Sequence, residues 1–421
     1  MPDSSNKPAS NDHKLFYGWV IAIAGAATVF SAASFQYTFG VFVKPLADSF
    51  DWSRAAISGS VSGRSIISSM YAPFVGAWSD KYGPRKFILL GVVLAGLSYV
   101  LASRITSIWL LYLSLSVLMG VGLTSAFIPV VATVTRWFGK RAAVANGIVM
   151  SGFGVAQMVL PPIETLIIVR YGWEWCFLLL GLFVWLVGII AWRFIKSPPS
   201  AATLSVGTTK ENTTRTPPKA IASAGDYSLA EALRNSIFWV MLVINAAAFL
   251  TYQMAVIHVV PAAIQTGITP EAAAIVLTLG GVGSTCGRLG LGALAGRLGT
   301  KPVLIFCLAL QVVALFFLTG ANSLYVFYGS AIFLGFGYGG VIPIMPTMAG
   351  GYFGLKAMGS IFGVINIAQN VGLSIGPLLA GFIFDITGSY FYAFLTAAIL
   401  MIIALILSLI LRPPRKKAVA A

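Results

Sequence analysis

The chain has 421 residues, of which 58% are hydrophobic and 9% charged, with a formal net charge of +15 and a mean hydropathy of +0.90. A soluble domain carries about 25% charged residues, so a water-soluble globular class is excluded. The basic excess would suit a nucleic-acid partner, but its distribution excludes that as well. Counted from a cytoplasmic N-terminus, 21 of the 27 Lys and Arg lie on the cytoplasmic side, four lie outside (Lys44, Arg54, Arg104, Arg170) and two lie within apolar segments (Arg64, Arg288). That is the positive-inside asymmetry, which reports orientation and contact with anionic lipid.

A tail over residues 1–16 precedes the first apolar run, which is too long for a signal-peptide core and reads as an uncleaved first span. Twelve spans are expected, at roughly residues 17–43, 55–79, 85–104, 107–135, 142–168, 174–195, 236–262, 271–295, 301–320, 323–348, 357–384 and 390–411. Each is long enough to cross a bilayer as a helix. Residues 197–229, rich in Ser, Thr, Pro and Ala, read as a flexible cytoplasmic linker. The linker divides the chain into bundles over residues 17–196 and 230–411, and residues 412–421 form a second cytoplasmic tail. Cys176, Cys286 and Cys307 all fall in apolar spans and suggest no disulfide framework.

The halves repeat. "GAWSDKYGPRK" (76–86) aligns with "GALAGRLGTKP" (292–302) at an offset of 216, and "YGWEWCFLL" (171–179) aligns with "TGSYFYAFL" (387–395) at the same offset. "RWFGKRA" (136–142) aligns with "GYFGLKA" (351–357) at 215. The fold class is therefore an all-α polytopic membrane protein, with twelve helices in two pseudo-symmetric six-helix bundles. Substrate sites in such architectures lie between the repeats near the midplane.

Gly76, Asp80, Lys81, Gly83, Arg85 and Lys86 resemble the loop between the second and third helices of the major facilitator superfamily. The resemblance implies a conformational latch of Gly76, Asp80, Gly83, Arg85 and, from the second copy, Arg297. That copy has Gly296 where the acid would stand, so it should latch less strongly. "FYGWV" opening the first span, "RWFGKRAAVANGIVMSGFG" (136–154) opening the fifth and Arg288 in the eighth resemble the monocarboxylate transporter and oxalate–formate antiporter branch. This narrower resemblance implies transport of a small organic monoanion by alternating access, proton-coupled, in a bacterial inner membrane with both termini cytoplasmic. It implies a monomer whose partners are a monocarboxylate such as lactate, pyruvate or acetate, the proton and lipid. No cofactor, metal, catalytic residue or nucleic acid is implied.

Three positions depart from the branch. Tyr37 stands where animal monocarboxylate transporters have a lysine, and Ser284 stands where they have an acid one turn before the arginine. Gln369 replaces the second cation of the oxalate–formate exchanger. One strong cation instead of two favours a monoanion. The alternatives are organic-anion exchange, efflux of amphipathic compounds and, in a different class, a transporter-derived membrane sensor.

Arg288 is the first candidate for substrate binding, because a buried arginine needs a partner and eleven of the twelve acids lie in loops, tails or helix ends. Only Glu164 is well inside a span, at a different depth. The alternative is bonding to backbone carbonyls or snorkelling to the interface. Arg64 is the second intramembrane cation; it could guide anions, pair with Glu164 or satisfy a broken backbone. Tyr37, Tyr252, Tyr338, Asn366, Gln369 and Asn370 are the other candidates for a cavity lining, and the last three share a helix face. Each could instead bond between helices. His258, whose residue type titrates near neutrality, and Glu164 are the candidates for proton coupling; His258 could instead serve a carbonyl freed by Pro261. "GFGYGG" (335–340) has no preceding strand and reads as helix-packing glycine.

Overall fold

The computed structural model describes residues 11–32, 39–196 and 226–414. Tyr37, the tail up to residue 10, residues 197–225 of the linker and residues 415–421 lie outside the described residues. The first span is seen as Asn11–Ala32 and Gly40–Phe50. The rest of the first bundle is Arg54–Tyr82, Pro84–Ala102, Ile108–Phe138, Ala142–Tyr171 and Trp173–Phe194. The second bundle is Ser236–Gln265, Pro270–Leu298, Thr300–Thr319, Leu324–Phe353, Met358–Thr387 and Tyr390–Ile410. A short capped helix, Leu229–Leu233, leads into it.

Among the described residues, nine helices are long and apolar enough to cross a membrane by length and composition alone. The second and eighth spans are not among the nine, although each is 29 residues long. Their hydropathy is diluted by Ser, Gly and Arg, and they are the two spans that carry Arg64 and Arg288. Around the girth, side chains such as Leu186, Phe316 and Ile386 remain exposed, as lipid-facing positions should.

Contacts between helix ends define a terminal face. The Tyr17 hydroxyl donates to the Phe194 carbonyl (2.9 Å), and Trp192 Nε1 donates to the Arg85 carbonyl (2.9 Å). In the second bundle Lys301 Nζ donates to the Leu409 carbonyl (2.8 Å). The turns into the third and ninth spans are made by Gly83 (φ 89°) and Gly299 (φ 92°) at equivalent positions of the repeat, a conformation that costs glycine little and other residues more.

The bundles meet near this face along two seams related by the repeat. In one, a Cβ at Gly76 of the second span would overlap the Gly359 carbonyl of the eleventh, and a Cβ at Gly363 would overlap the Ala72 carbonyl. In the other, a Cβ at Gly292 of the eighth span would come within 2.9 Å of the Ala143 carbonyl of the fifth, and one at Gly147 would overlap the Arg288 carbonyl. Small residues permit such approach where lipid offers no hydrophobic drive for association. Farther from the terminal face the same helices part. Arg64 and Ser68 face Asn366 and Gln369 across a cavity, and Val61 and Ser62 face Ser374 and Pro377 across a vestibule of about 530 Å³. The molecule is thus closed at the terminal face and open at the other.

Gly76→Leu should oppose this closed face, because a side chain would be driven into the Gly359 backbone. An overpacking cost of roughly 1–3 kcal/mol would shift the population towards a terminally open state. Thiol labelling in a cysteine-free background should then rise at a probe on Ser79, buried in the seam, and fall at one on Ser62. Unchanged labelling at both would show that the seam does not control closure.

Candidate functional site

Where the seams end, the helices enclose a cavity of about 70 Å³ that is continuous with the vestibule, the two sharing Arg64, Arg288, Tyr338 and Leu373. Arg288 is 3% exposed. Its Nη1 donates to the Met150 carbonyl of the other bundle (3.1 Å), and its Nε has no hydrogen-bond partner among the described residues. The side chain faces the cavity instead of snorkelling, while its own backbone carbonyl is held in the seam against Gly147. Arg288 therefore touches both the gate and the space above it.

Arg64, the second intramembrane cation, lines the same cavity. Periodicity cannot fix the relative rotation of helices from different bundles. The second span runs unbroken from Arg54 to Tyr82, so Arg64 does not serve a broken backbone. The span is clamped to the fourth, whose segment Tyr112–Leu118 is wound as a π-helix. The Ser116 hydroxyl donates to the Ser60 carbonyl (2.8 Å), and the Ser68 hydroxyl to the Gly120 carbonyl (3.3 Å). Such π segments often occur at functional sites. Arg64 Nη2 donates to the Ser65 hydroxyl (3.3 Å).

The eleventh span supplies an amide ladder. Asn366 Nδ2 donates to Gln369 Oε1 (2.9 Å), and Asn370 Nδ2 donates to Asn366 Oδ1 (3.0 Å). All three residues line the cavity. Tyr338 lines it too, with its ring stacked on Tyr252 at 3.6 Å between centroids and 3° between planes. The glycines of "GFGYGG" make this placement possible: a Cβ at Gly335 or Gly339 would overlap the backbone of the eighth span at Gly280 or Ser284. Below the cavity, Phe127 packs on Phe153 (5.5 Å) and, across the bundles, on Phe362 (6.0 Å). This aromatic floor was not legible in sequence, because its members come from three spans with no shared motif.

Two predicted residues lie elsewhere. Glu164 is buried, beside Cys176, whose Sγ donates to the Glu164 carbonyl (3.8 Å), and it does not line the cavity. His258 Nε2 lies 3.1 Å from the Pro377 carbonyl and its ring packs near Tyr390. Pro377 lines the vestibule. Tyr37 lies outside the described residues.

Asp80 bridges the bundles. It pairs with Arg136 of the fourth span and accepts from the backbone N–H of Gly359 (3.0 Å) and Ser360 (2.9 Å) and from the Ser360 hydroxyl (3.0 Å). The eleventh span begins after Ala357, which has no side-chain acceptor for these orphan donors. Asp80 is their cap in trans, at the positive end of the helix dipole. Arg136 also donates from Nε to the Leu355 carbonyl (3.0 Å). Arg85 and Arg297 take no part in this contact. Arg85 lies over the Trp192 ring (5.1 Å) within its own bundle, and Arg297 is exposed. Arg85 follows Gly83 and Pro84 around the turn and is turned onto Trp192 of the sixth span, whereas Arg136 lies in the last turn of the fourth. At the equivalent of Asp80 in the other seam, Gly296 offers no acceptor to the fifth span, which starts without a side-chain cap.

A family model described as Major Facilitator Superfamily matches residues 25–265 and 242–421. The chain belongs to the major facilitator superfamily. Within it, the chain is related to the monocarboxylate transporters. It is 26% identical to monocarboxylate transporter 11 of Homo sapiens over 397 residues, covering 92% of this chain and 81% of that one. It is 24% identical to monocarboxylate transporter 7 of Homo sapiens over 457 residues, covering 94% and 86%. It is 26% identical to monocarboxylate transporter 13 of Rattus norvegicus over 388 residues, covering 90% and 86%. The fold matches the crystal structure of FucP, a major facilitator transporter in the outward conformation, with a TM-score of 0.66 at 14% identity, covering 94% of this chain and 100% of that one.

Asp80→Asn keeps the shape of the cap and removes its charge, weakening bonds to a charged acceptor worth about 1.5–3 kcal/mol each at most. The terminal face should open more often, seen as faster thiol labelling at a probe on Ser79, which is buried in the closed seam, while the cavity is left intact. Labelling at the wild-type rate would remove the carboxylate from the closure mechanism.

Proposed function

We propose that this protein is a secondary active transporter that moves a small organic monocarboxylate, such as lactate, pyruvate or acetate, by alternating access between its two faces. The protein acts as a monomer in a bacterial inner membrane, with the terminal face cytoplasmic and the vestibule outside. Its relatives are named as monocarboxylate transporters. The observation that carries the reading is Arg288: a guanidinium buried at the bottom of an open cavity, with one nitrogen on a backbone carbonyl and another without a partner among the described residues. A carboxylate can bind such a group through two charge-assisted hydrogen bonds. The amide ladder and Tyr338 complete the polar wall, while Phe127, Phe153 and Phe249 exclude water and strengthen the pairing.

A dianion is the second reading, favoured by Arg64 in the same cavity. Two cations across one small space suit the two carboxylates of an oxalate-like substrate in an anion exchanger. Arg64→Gln separates the readings: under the first, competition by lactate should persist largely intact, and under the second, competition by oxalate should be lost.

Arg288→Gln should lose carboxylate binding by roughly 2–5 kcal/mol, the scale for breaking a buried charge pair. It should still insert and fold, because removing an intramembrane charge lowers the insertion cost. Arg288→Lys keeps the charge without the planar fork and should transport poorly. Uptake and counterflow in proteoliposomes test this and also separate transport from ligand sensing; near-normal lactate affinity in Arg288→Gln would make Arg288 structural.

Coupling to protons is assigned to His258 or Glu164, the two titratable candidates within the spans. His258 is the better placed, on the Pro377 carbonyl beside the vestibule. If it carries the proton, His258→Gln should flatten the pH dependence of uptake while exchange persists. Uptake that still rises normally as external pH falls would exclude it.

A further inference from the structure

A second cavity, of about 100 Å³, lies between the seventh, eighth and tenth spans and is closed behind by Leu318 of the ninth. Its walls are mostly apolar, among them Val259, Val276 and Leu334, and among the described residues that line it none has a charged or amide side chain. Tyr252 and Val256 line both this cavity and the vestibule, so the two are neighbours through those residues. The stacked pair of Tyr252 and Tyr338 forms the partition from the anion cavity: Tyr338 faces the anion cavity and Tyr252 faces the apolar one.

The space exists because two wall positions are glycine. A Cβ at Gly281 would meet nothing within 4 Å, and one at Gly280 would make only ordinary contact with the Ala331 carbonyl, at 3.6 Å. Gly281 and Arg288 stand seven residues apart on the eighth span, two turns along one helix face and about 10 Å of rise. A carboxylate held at Arg288 could thus extend its remainder along that face, past the tyrosine pair, into the apolar side cavity. Apolar cavities of this order stay dry and accept a group the size of benzene. A second carboxylate there would be desolvated with no cationic partner among the described lining residues.

We infer that the apolar cavity behind Tyr252 is a subsite for the hydrocarbon tail of the substrate, and that the protein selects monocarboxylates bearing an aryl or branched alkyl group over the shortest acids. The inference rests on the proposed carboxylate site at Arg288. The tail is the occupant, and not a lipid chain, because the cavity borders the vestibule through two shared residues. Each CH₂ buried there should improve affinity roughly fourfold.

The test compares hydrocinnamate with propionate, which share a headgroup and differ by a ring, as competitors of labelled lactate uptake and as thermal stabilisers of the full-length protein. In the wild type hydrocinnamate should act at a concentration at least tenfold lower than propionate. Gly281→Leu, which fills the open space, should erase that advantage and leave propionate within twofold of its wild-type value; Gly281→Ala should do so partially. Equal potency of the two acids in the wild type would overturn the inference, as would an advantage that survives in Gly281→Leu. Failure of both acids to act on the wild type would overturn the carboxylate reading itself, and the subsite with it. Loss of propionate alone in Arg288→Gln, with hydrocinnamate still bound, would place the aryl acid at a site independent of Arg288 and overturn the shared geometry.

Discussion

At the terminal face, carbonyl oxygens of one bundle occupy the space that a Cβ would fill in the other. No hydrophobic force drives helices together in lipid, so association there depends on close packing and on polar contacts. Concentrating the backbone approach in two short seams holds the bundles firmly at one end and leaves them free to diverge at the other. The cavity lies at the apex of that divergence. Its depth, the position of the aromatic floor and the placement of Arg288 all follow from where the glycines stop.

The seams are equal in shape but unequal in charge. One is tied by a carboxylate that caps a helix of the opposite bundle; the other has a glycine at the equivalent position and is held by backbone contact and the Arg288 hydrogen bond to the Met150 carbonyl. Such a pairing allows one seam to act as a lock and the other as a bearing. In the cavity, the Arg288 guanidinium sits in surroundings of low polarizability, where the field of a charge is screened far less than in water. The amides of Asn366, Gln369 and Asn370 bond among themselves and to the backbone. They preorganise one wall without neutralising that positive potential.

Much of this was legible in the amino-acid sequence. Hydropathy gave the spans, and the repeated "GAWSDKYGPRK" gave the two bundles. The scarcity of intramembrane acids singled out Arg288. The partners of Asp80 were not legible, because two of them are backbone N–H groups and carry no side-chain signature. Arg136 lies in "RWFGKRA", outside the loop whose resemblance implied a latch of Gly76, Asp80, Gly83, Arg85 and Arg297. The shared cavity of Arg64 and Arg288 depends on the rotation and depth of two helices in different bundles, and neither is written in a periodicity. The stacked tyrosines come from spans separated by two others, and a stacking distance leaves no trace in composition.

Arg288 reaches across the bundle boundary to the Met150 carbonyl, so rocking that separates the bundles at this level must stretch or break that hydrogen bond. An empty carrier would then have to strip a buried cation of its partner on every return stroke. A carboxylate riding on the guanidinium would keep the charge solvated throughout. If the proposed carboxylate site operates, the loaded form would cross the lower barrier, and one-for-one exchange across the membrane would outpace unidirectional flow.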